Sequence, residues 1–335
     1  MSSESTDSFA SELQKFITIN GEYPKVTPMQ KEASVRRYFH LQYKDCTKVM
    51  CLDASFLALP YDFIEVQKFY KENSITVPEI LDSDNSIHCI LLSDEGKNDL
   101  SSIEDDNVYL QRLKEAIDII CTLQKLKPID LIKKKTFDYK KLATEGYHTI
   151  NAYAKFQEAY KLEVAVTVEL FYLFEEITTS LGSYENKIIC HRDFHSRNLM
   201  LNPQQTLTVI DFQDTMMGTP AYDLASLLYD AYRPISPSAR EELYSYYLDN
   251  SPVELVNFRE IYLRQALQRS FKALGTYLKL FHQQKMEKYR KSIINALENL
   301  LEITQLGCFA DQCYVFFYQL NKSLLEDIEF LEPED

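Results

Sequence analysis

The stretch Lys187-Ile-Ile-Cys-His191-Arg-Asp193-Phe-His195-Ser-Arg-Asn198-Leu-Met-Leu201-Asn-Pro-Gln-Gln-Thr-Leu207-Thr-Val-Ile-Asp211-Phe-Gln213 holds three apolar runs, each too short for a helix. Ile188–Cys190, Leu199–Leu201 and Leu207–Ile210 read as β pieces, and Asn202-Pro-Gln-Gln205 reads as the turn that joins the last two. Polar loops therefore carry His191 to Asn198 before this hairpin and Asp211 to Gln213 after it. Such loops on short, rigid elements are where binding and catalytic side chains concentrate.

On either side of this block the hydrophobic period changes. Phe9, Leu13, Phe16 and Ile17 have the spacing of an amphipathic helix. From about Lys25 to Asp94 the runs Arg37-Tyr-Phe-His-Leu, Lys48-Val-Met-Cys-Leu and Ile87-His-Cys-Ile-Leu-Leu predict strands, and Asp82-Ser-Asp-Asn-Ser86 predicts a hairpin turn. Phe63 to Asn73 can form one helix. After Gly96–Asn107, a helix is expected on the stripe Leu110, Leu113, Ile117, Ile120 and Cys121. Another is expected over Val164 to Leu181, with Gly182 as its C-terminal cap. From Ala221 almost to Glu329 the pattern is helical. The expected fold class is α+β. It has a small antiparallel-sheet lobe with one helix (residues 1–95, N-terminal helix included) and a larger, mostly helical lobe (96–335) with the short hairpin embedded in it.

Composition excludes several functions. Hydrophobic residues at 45% and charged residues at 26% are those of a globular chain. A net charge of −14, spread along the sequence, argues against a nucleic-acid partner, which would require clustered Lys and Arg. No apolar run approaches the ~20 residues of a membrane span, and Met1-Ser-Ser-Glu-Ser-Thr-Asp is no secretory leader. The seven cysteines form no C-x-x-C pair and mostly lie in apolar runs, so reduced thiols are expected. The expectation is a cytoplasmic protein with a small-molecule substrate and no membrane. The acidic end, Glu332-Pro-Glu-Asp335, is expected to fray.

The spacing His-Arg-Asp-x-x-x-x-Asn, a hairpin, then Asp-Phe resembles the catalytic and metal-binding loops of kinases. Phosphoryl transfer needs a carboxylate facing the acceptor hydroxyl and oxygen ligands that hold Mg²⁺ against the phosphates of ATP. Asp193 is the candidate base, with Asn198 and Asp211 as candidate metal ligands. His191 is read as a packing residue. His195 stands where protein kinases often carry a lysine that touches the transferred phosphate, and a loop-structuring role is the alternative. No glycine lies between Gly21 and Gly96, so a glycine-rich phosphate loop is absent there, and Asp53 stands near the place of the usual strand lysine. Arg36 and Arg37 are the candidate replacements, since guanidinium groups bind phosphate oxygens in pairs. Strand alternation lets one of the two face inward, and Arg37 is favoured. Ser93 and Asp94, after the last strand run, join them as expected nucleotide-binding residues.

These segments, with Ala33-Ser-Val-Arg-Arg-Tyr-Phe39, Leu52-Asp-Ala54, Pro220-Ala-Tyr-Asp-Leu-Ala-Ser-Leu-Leu228 and Ala266-Leu-Gln-Arg-Ser-Phe-Lys-Ala-Leu-Gly275, resemble bacterial anomeric N-acetylmuramate/N-acetylglucosamine kinases. These belong to the aminoglycoside-phosphotransferase-like, protein-kinase-like superfamily. The resemblance runs from about residue 30 to 300. It implies a two-lobed protein-kinase-like fold, ATP and Mg²⁺ as cofactors, and transfer to the anomeric hydroxyl of an N-acetylated amino sugar in cell-wall recycling. It also implies that Asp223 braces the catalytic loop. The chain departs from the family pattern at Ser55-Phe-Leu-Ala-Leu-Pro60, where prolines directly after the Asp-Ala pair are common, and at Ser270, where a histidine is expected. The catalytic block is shared with aminoglycoside kinases and with choline- or homoserine-type kinases, so it leaves the acceptor open. A catalytically dead binding module would have lost Asp193 or a metal ligand, and all three residues are present.

Overall fold

A computed structural model describes residues 11–29, 36–254, 256–307, 309, 311–326 and 330. Phe9 of the expected first helix, Ala33-Ser-Val35, Cys308 and the acidic end lie outside the described residues. The chain divides into two compact units.

The small unit comprises residues 1–98 and 200–213. Five antiparallel strands, β1 (Lys25–Pro28), β2 (Arg37–Gln42), β3 (Thr47–Leu52), β4 (Ile80–Asp84) and β5 (Cys89–Ser93), lie in the order β1-β2-β3-β5-β4. Both faces of the central strands are buried. Met50 and Leu91 join Leu41 and Ile17 in one cluster, and Cys51 and Ile90 alternate to the opposite face. The hairpin turn falls at 85–88, not at 82–86. His88 takes a left-handed conformation there, with φ of 52°, while Asp82 and Asp84 pair in β4. Helix α1 (Asp62–Glu72) buries Phe63, Val66, Phe69 and Tyr70. Contacts also assign to this unit the hairpin that sequence placed in the larger lobe. Strand β7 (Leu199–Leu201) donates Leu201 N–H to Asn98, and β8 (Leu207–Val209) donates Val209 N–H to Thr76. The ring of Phe212 packs against Phe63 and Tyr70. The chain passes between the two units at 98/99, 199/200 and 213/214.

The large unit comprises residues 99–199 and 214–335. Helix α2 (Asp106–Lys125) starts where the Asp105 carboxylate accepts the N–H groups of Asn107 and Val108, and its buried stripe includes the expected Leu113, Ile117, Ile120 and Cys121. After the single turn Asp130–Lys133 comes α3 (Tyr139–Ala159), a helix the sequence reading did not name. Helix α4 (Val168–Gly182) starts four residues later than expected because the Thr167 hydroxyl caps Leu170 N–H. Gly182 is its last residue and not a left-handed cap. A Cβ there would stand 2.6 Å from the Tyr139 nitrogen, so close approach to α3 is what requires glycine. Strand β6 (Ile188–Cys190) pairs antiparallel with β9 (Met216–Gly218). Helices α5 (Tyr222–Leu228), α6 (Pro237–Asn250), α7 (Phe258–Leu278), α8 (Arg290–Leu306) and α9 (Asp311–Glu326) follow. Among the described residues five cysteines are buried free thiols and Cys46 is an exposed one. Among the described residues no helix is long and apolar enough to cross a membrane.

Candidate active site

In the large unit, the chain leaves β6 through a loop that two buried carboxylates pin at both ends. Asp223, in the first turn of α5, accepts the backbone N–H of His191 at 2.6 Å and that of Arg192 at 3.0 Å. This is the brace the resemblance implied. It holds Arg192 at φ of 89°, a conformation that costs ~1–3 kcal/mol unless its surroundings enforce it. Asp230 accepts the N–H groups of Ser196 and Tyr232, both at 2.8 Å, and the Ser196 hydroxyl. Burial pushes the Asp230 carboxyl up to about 6 in spite of these donors.

Between the pins lies Asp193, whose side chain keeps 30% of its exposure. Lys272 Nζ is 3.3 Å from its Oδ1, and Arg269 Nη2 is 3.5 Å from the same oxygen. Both cations come from α7 and, three residues apart, share one face of it. Burial alone would raise the Asp193 pKa. Lys272, Arg269 and Arg192 outweigh it and hold the carboxyl well below the usual carboxylate range. Burial pulls Lys272 down, with Asp193 acting in the opposite direction. Glu145 of α3 completes the group: Oε2 accepts from Gln268 at 3.0 Å, and Oε1 stands 3.7 Å from Lys272 and 3.9 Å from Arg192.

Asn198 and His195 adjoin Asp193. The Asn198 amide nitrogen donates to the Asp193 carbonyl at 2.8 Å and faces His195 Nε2 at 3.4 Å. Its side-chain oxygen is therefore the atom that can serve as a ligand. The His195 ring lies edge-on to Tyr232, and burial lowers its pKa to about 3, so it is neutral at physiological pH.

In the small unit, Asp211 follows β8 with φ of 62°, is exposed, and accepts from Gln213 Nε2 at 2.7 Å. Arg36 and Arg37 separate as alternation requires. Arg37 is exposed, whereas Arg36 Nε is 2.6 Å from the buried Asp53 carboxylate. Ser55 N–H and hydroxyl donate to Asp53 Oδ1, and the Tyr61 hydroxyl donates to Oδ2. Burial, with lesser contributions from Cys51 and from the nearby Asp211 carboxylate, raises the Tyr38 pKa, and Tyr38 in turn neighbours Arg36. Arg36, Tyr38 and Asp211 thus share one electrostatic neighbourhood. The Ser93 and Asp94 side chains are engaged with the chain itself. Ser93 accepts from Glu79 N–H and donates to Glu95, while Asp94 accepts from Gly96 N–H and stands 3.5 Å from His40. Among the described residues no cluster of three or more His, Cys, Asp or Glu side chains could hold a metal by itself.

Sequence reasoning missed Lys272, Arg269, Glu145 and Asp230. A signal existed for two of them, because Ala266-Leu-Gln-Arg269-Ser-Phe-Lys272 lies in a segment that carried the family resemblance.

Residues 25–256 match the model of the phosphotransferase enzyme family. The N-acetylmuramate/N-acetylglucosamine kinase of Neisseria meningitidis serogroup B is 26% identical over 291 residues, 82% of this chain and 84% of that protein. The kinase of the same name from Pseudomonas aeruginosa is 25% identical over 285 residues, 80% of this chain and 81% of that protein. Among solved structures, spectinomycin phosphotransferase APH(9)-Ia bound to ADP and spectinomycin aligns with a TM-score of 0.60 at 11% identity, covering 90% of this chain and 98% of that one. Choline kinase LicA from Streptococcus pneumoniae aligns with a TM-score of 0.57 at 13% identity, covering 88% and 99%. The small antiparallel sheet, the larger helical part and these neighbours make the fold α+β and protein-kinase-like. With more than half of its length matched by one family model, the chain belongs to the phosphotransferase enzyme family.

Proposed function

We propose that the protein is a cytoplasmic, ATP- and Mg²⁺-dependent kinase that phosphorylates the anomeric hydroxyl of an N-acetylated amino sugar, N-acetylglucosamine or N-acetylmuramate, in the recycling of cell-wall sugars. The carrying observation is the surroundings of Asp193: Lys272 and Arg269 face it, and Arg192 is near enough to help hold its pKa down. Asp193 and Glu145 are already matched by these cations, so the group holds no surplus of negative charge to draw in a cationic acceptor such as choline or an aminoglycoside, whereas a neutral or anionic sugar needs none. The names of the relatives support the same class.

Asp193 accepts the hydrogen bond of the acceptor hydroxyl and aims its oxygen. Its low basicity suits orientation followed by late proton transfer, as a loose phosphoryl transition state requires. The oxygen of Asn198 and the carboxylate of Asp211 are hard ligands that fit Mg²⁺, which takes further ligands from phosphate. The ion would supply neutralisation of phosphate charge. Arg36, oriented by Asp53, is the phosphate-binding cation of the small unit in this reading.

The test is a coupled assay with N-acetylmuramate, N-acetylglucosamine, glucose, kanamycin and choline. Turnover of an N-acetylated sugar, with a phosphorus signal coupled to the anomeric proton, is expected. Turnover of kanamycin or choline alone would overturn the reading.

A further inference from the structure

The three cations around Asp193 are held in different ways. Arg269 is fixed, since Nη1 donates to the Tyr222 hydroxyl at 3.2 Å, Nη2 donates to Ser226 at 2.8 Å, and its side chain is 8% exposed. Arg192 springs from backbone pinned by Asp223, and its guanidinium reaches Asp214 at 3.3 Å. Lys272 meets carboxylates only at longer distances, 3.3 Å to Asp193 and 3.7 Å to Glu145, from the end of a flexible four-carbon stem. Its side chain is 18% exposed, and its ammonium hydrogen-bonds Asp193 Oδ1 at the edge of the loop through a stem whose torsions can redirect it. The nearby ring of His195 packs against Tyr232 and faces the Asn198 amide, so Lys272 is the flexible cation beside Asp193.

We propose that Lys272 is a further catalytic residue: its ammonium rests on Asp193 and Glu145 in the free enzyme and turns to the transferring phosphoryl oxygens once the acceptor hydroxyl occupies Asp193. In the transfer, the bond from the acceptor oxygen to phosphorus forms and the bond from phosphorus to the ADP oxygen breaks. The acceptor proton leaves by way of Asp193, and Lys272 keeps its protons. Its contribution is positive charge placed where negative charge gathers in a water-poor site. Glu145 and Asp193 act as its resting place, which keeps the ammonium from drifting toward solvent.

This proposal rests on the kinase reading but not on the identity of the sugar. The experiment compares wild type, K272M and K272R by initial rates with Mg-ATP and the best acceptor of the panel, and by slow hydrolysis of Mg-ATP in water. K272M should lose ~10²–10³-fold in kcat with both KM values within ~3-fold, and K272R should recover at least ~10-fold of that loss. Hydrolysis should fall in the same order. If no acceptor of the panel is turned over, the amino-sugar reading fails, while Lys272 is still judged by the hydrolysis series. A kcat unchanged in K272M overturns the proposal. So does a raised acceptor KM at constant kcat, which would make Lys272 a binding residue. Melting curves check folding, and K272Q replaces K272M if that variant is unfolded.

Discussion

Arg36 Nε lies 2.6 Å from Asp53 Oδ2, an ion pair that ties the residue before β2 to the residue after β3. The carboxylate is buried and also takes donors from Ser55 and Tyr61, so it holds the guanidinium in one orientation. In this chain the small unit's inward cation therefore comes from the start of one strand, and an acid takes the place where a strand lysine was sought.

The two arginines should respond differently to removal. Arg36→Ala should raise the KM for ATP by ~10-fold, as loss of one charge-assisted hydrogen bond implies, and should also destabilise the fold by leaving Asp53 with fewer donors. Arg37→Ala, at an exposed strand position, should leave the KM within ~2-fold. A larger effect of Arg37→Ala on ATP kinetics would reverse the assignment.

Asp193→Asn should lower kcat by ~10²–10⁴ with little change in ATP affinity. The direction of the Asp193 shift adds a pH test. Its pKa is depressed, so the carboxylate stays ionised from neutrality down past the ordinary ~3.9, and its stabilising contribution is lost only below that value. Between pH 5 and 9 the profile of kcat should therefore show no acid limb belonging to Asp193. A limb near pH 6 that vanishes in Asp193→Asn would contradict the geometry.

Metal dependence should divide between the two loops. Asp211→Ala should abolish the gain in nucleotide affinity that Mg²⁺ gives, and Asn198→Ala should weaken it, because each removes a hard oxygen. Calorimetric titration of ATP with and without Mg²⁺ reads both. Equal affinities for Mg-ATP in wild type and both variants would remove these residues from the metal site.

Asp230 gives the opposite pH sign. Its pKa is raised to about 6, so between about pH 4 and 6 the folded state binds more protons than the unfolded state, and stability falls as pH rises through that window. A shift of ~2 units corresponds to ~3 kcal/mol at most. Asp230→Asn cannot ionise, so its stability relative to wild type should improve from pH 4 to 6.5. Parallel melting curves across that range would show the assignment to be wrong.

Gly275→Ala should be among the costlier small substitutions. The added Cβ would sit 2.5 Å from Thr149 Oγ1 and 2.6 Å from its Cα, at the crossing of α3 and α7. Overpacking of this kind costs ~1–3 kcal/mol. Since α7 carries Arg269 and Lys272, kcat should fall together with the melting temperature.

The sequence by itself determined what is local. The spacing of Asp193, Asn198 and Asp211 between short strands, the stripe of α2, and strands β2, β3 and β5 were readable from period and turn chemistry, because each depends on nearby neighbours, whereas β1 went unnamed and part of β4 was read as a turn. The bracing role of Asp223 came from the family resemblance carried by Pro220 to Leu228. Tertiary structure decided the rest. Lys272 stands 79 residues from Asp193 and meets it only because α7 carries it against the loop after β6. Gly182 looked like a cap, but α3, unseen in the sequence, lies so near that a Cβ there would stand 2.6 Å from the Tyr139 nitrogen. Arg36 and Arg37 are chemically alike, and the register of β2 with β3 separates them into one inward and one exposed residue. Periodicity says which face of an element is apolar, whereas the partner that face meets, and the charges brought together there, are set by contacts distant in sequence.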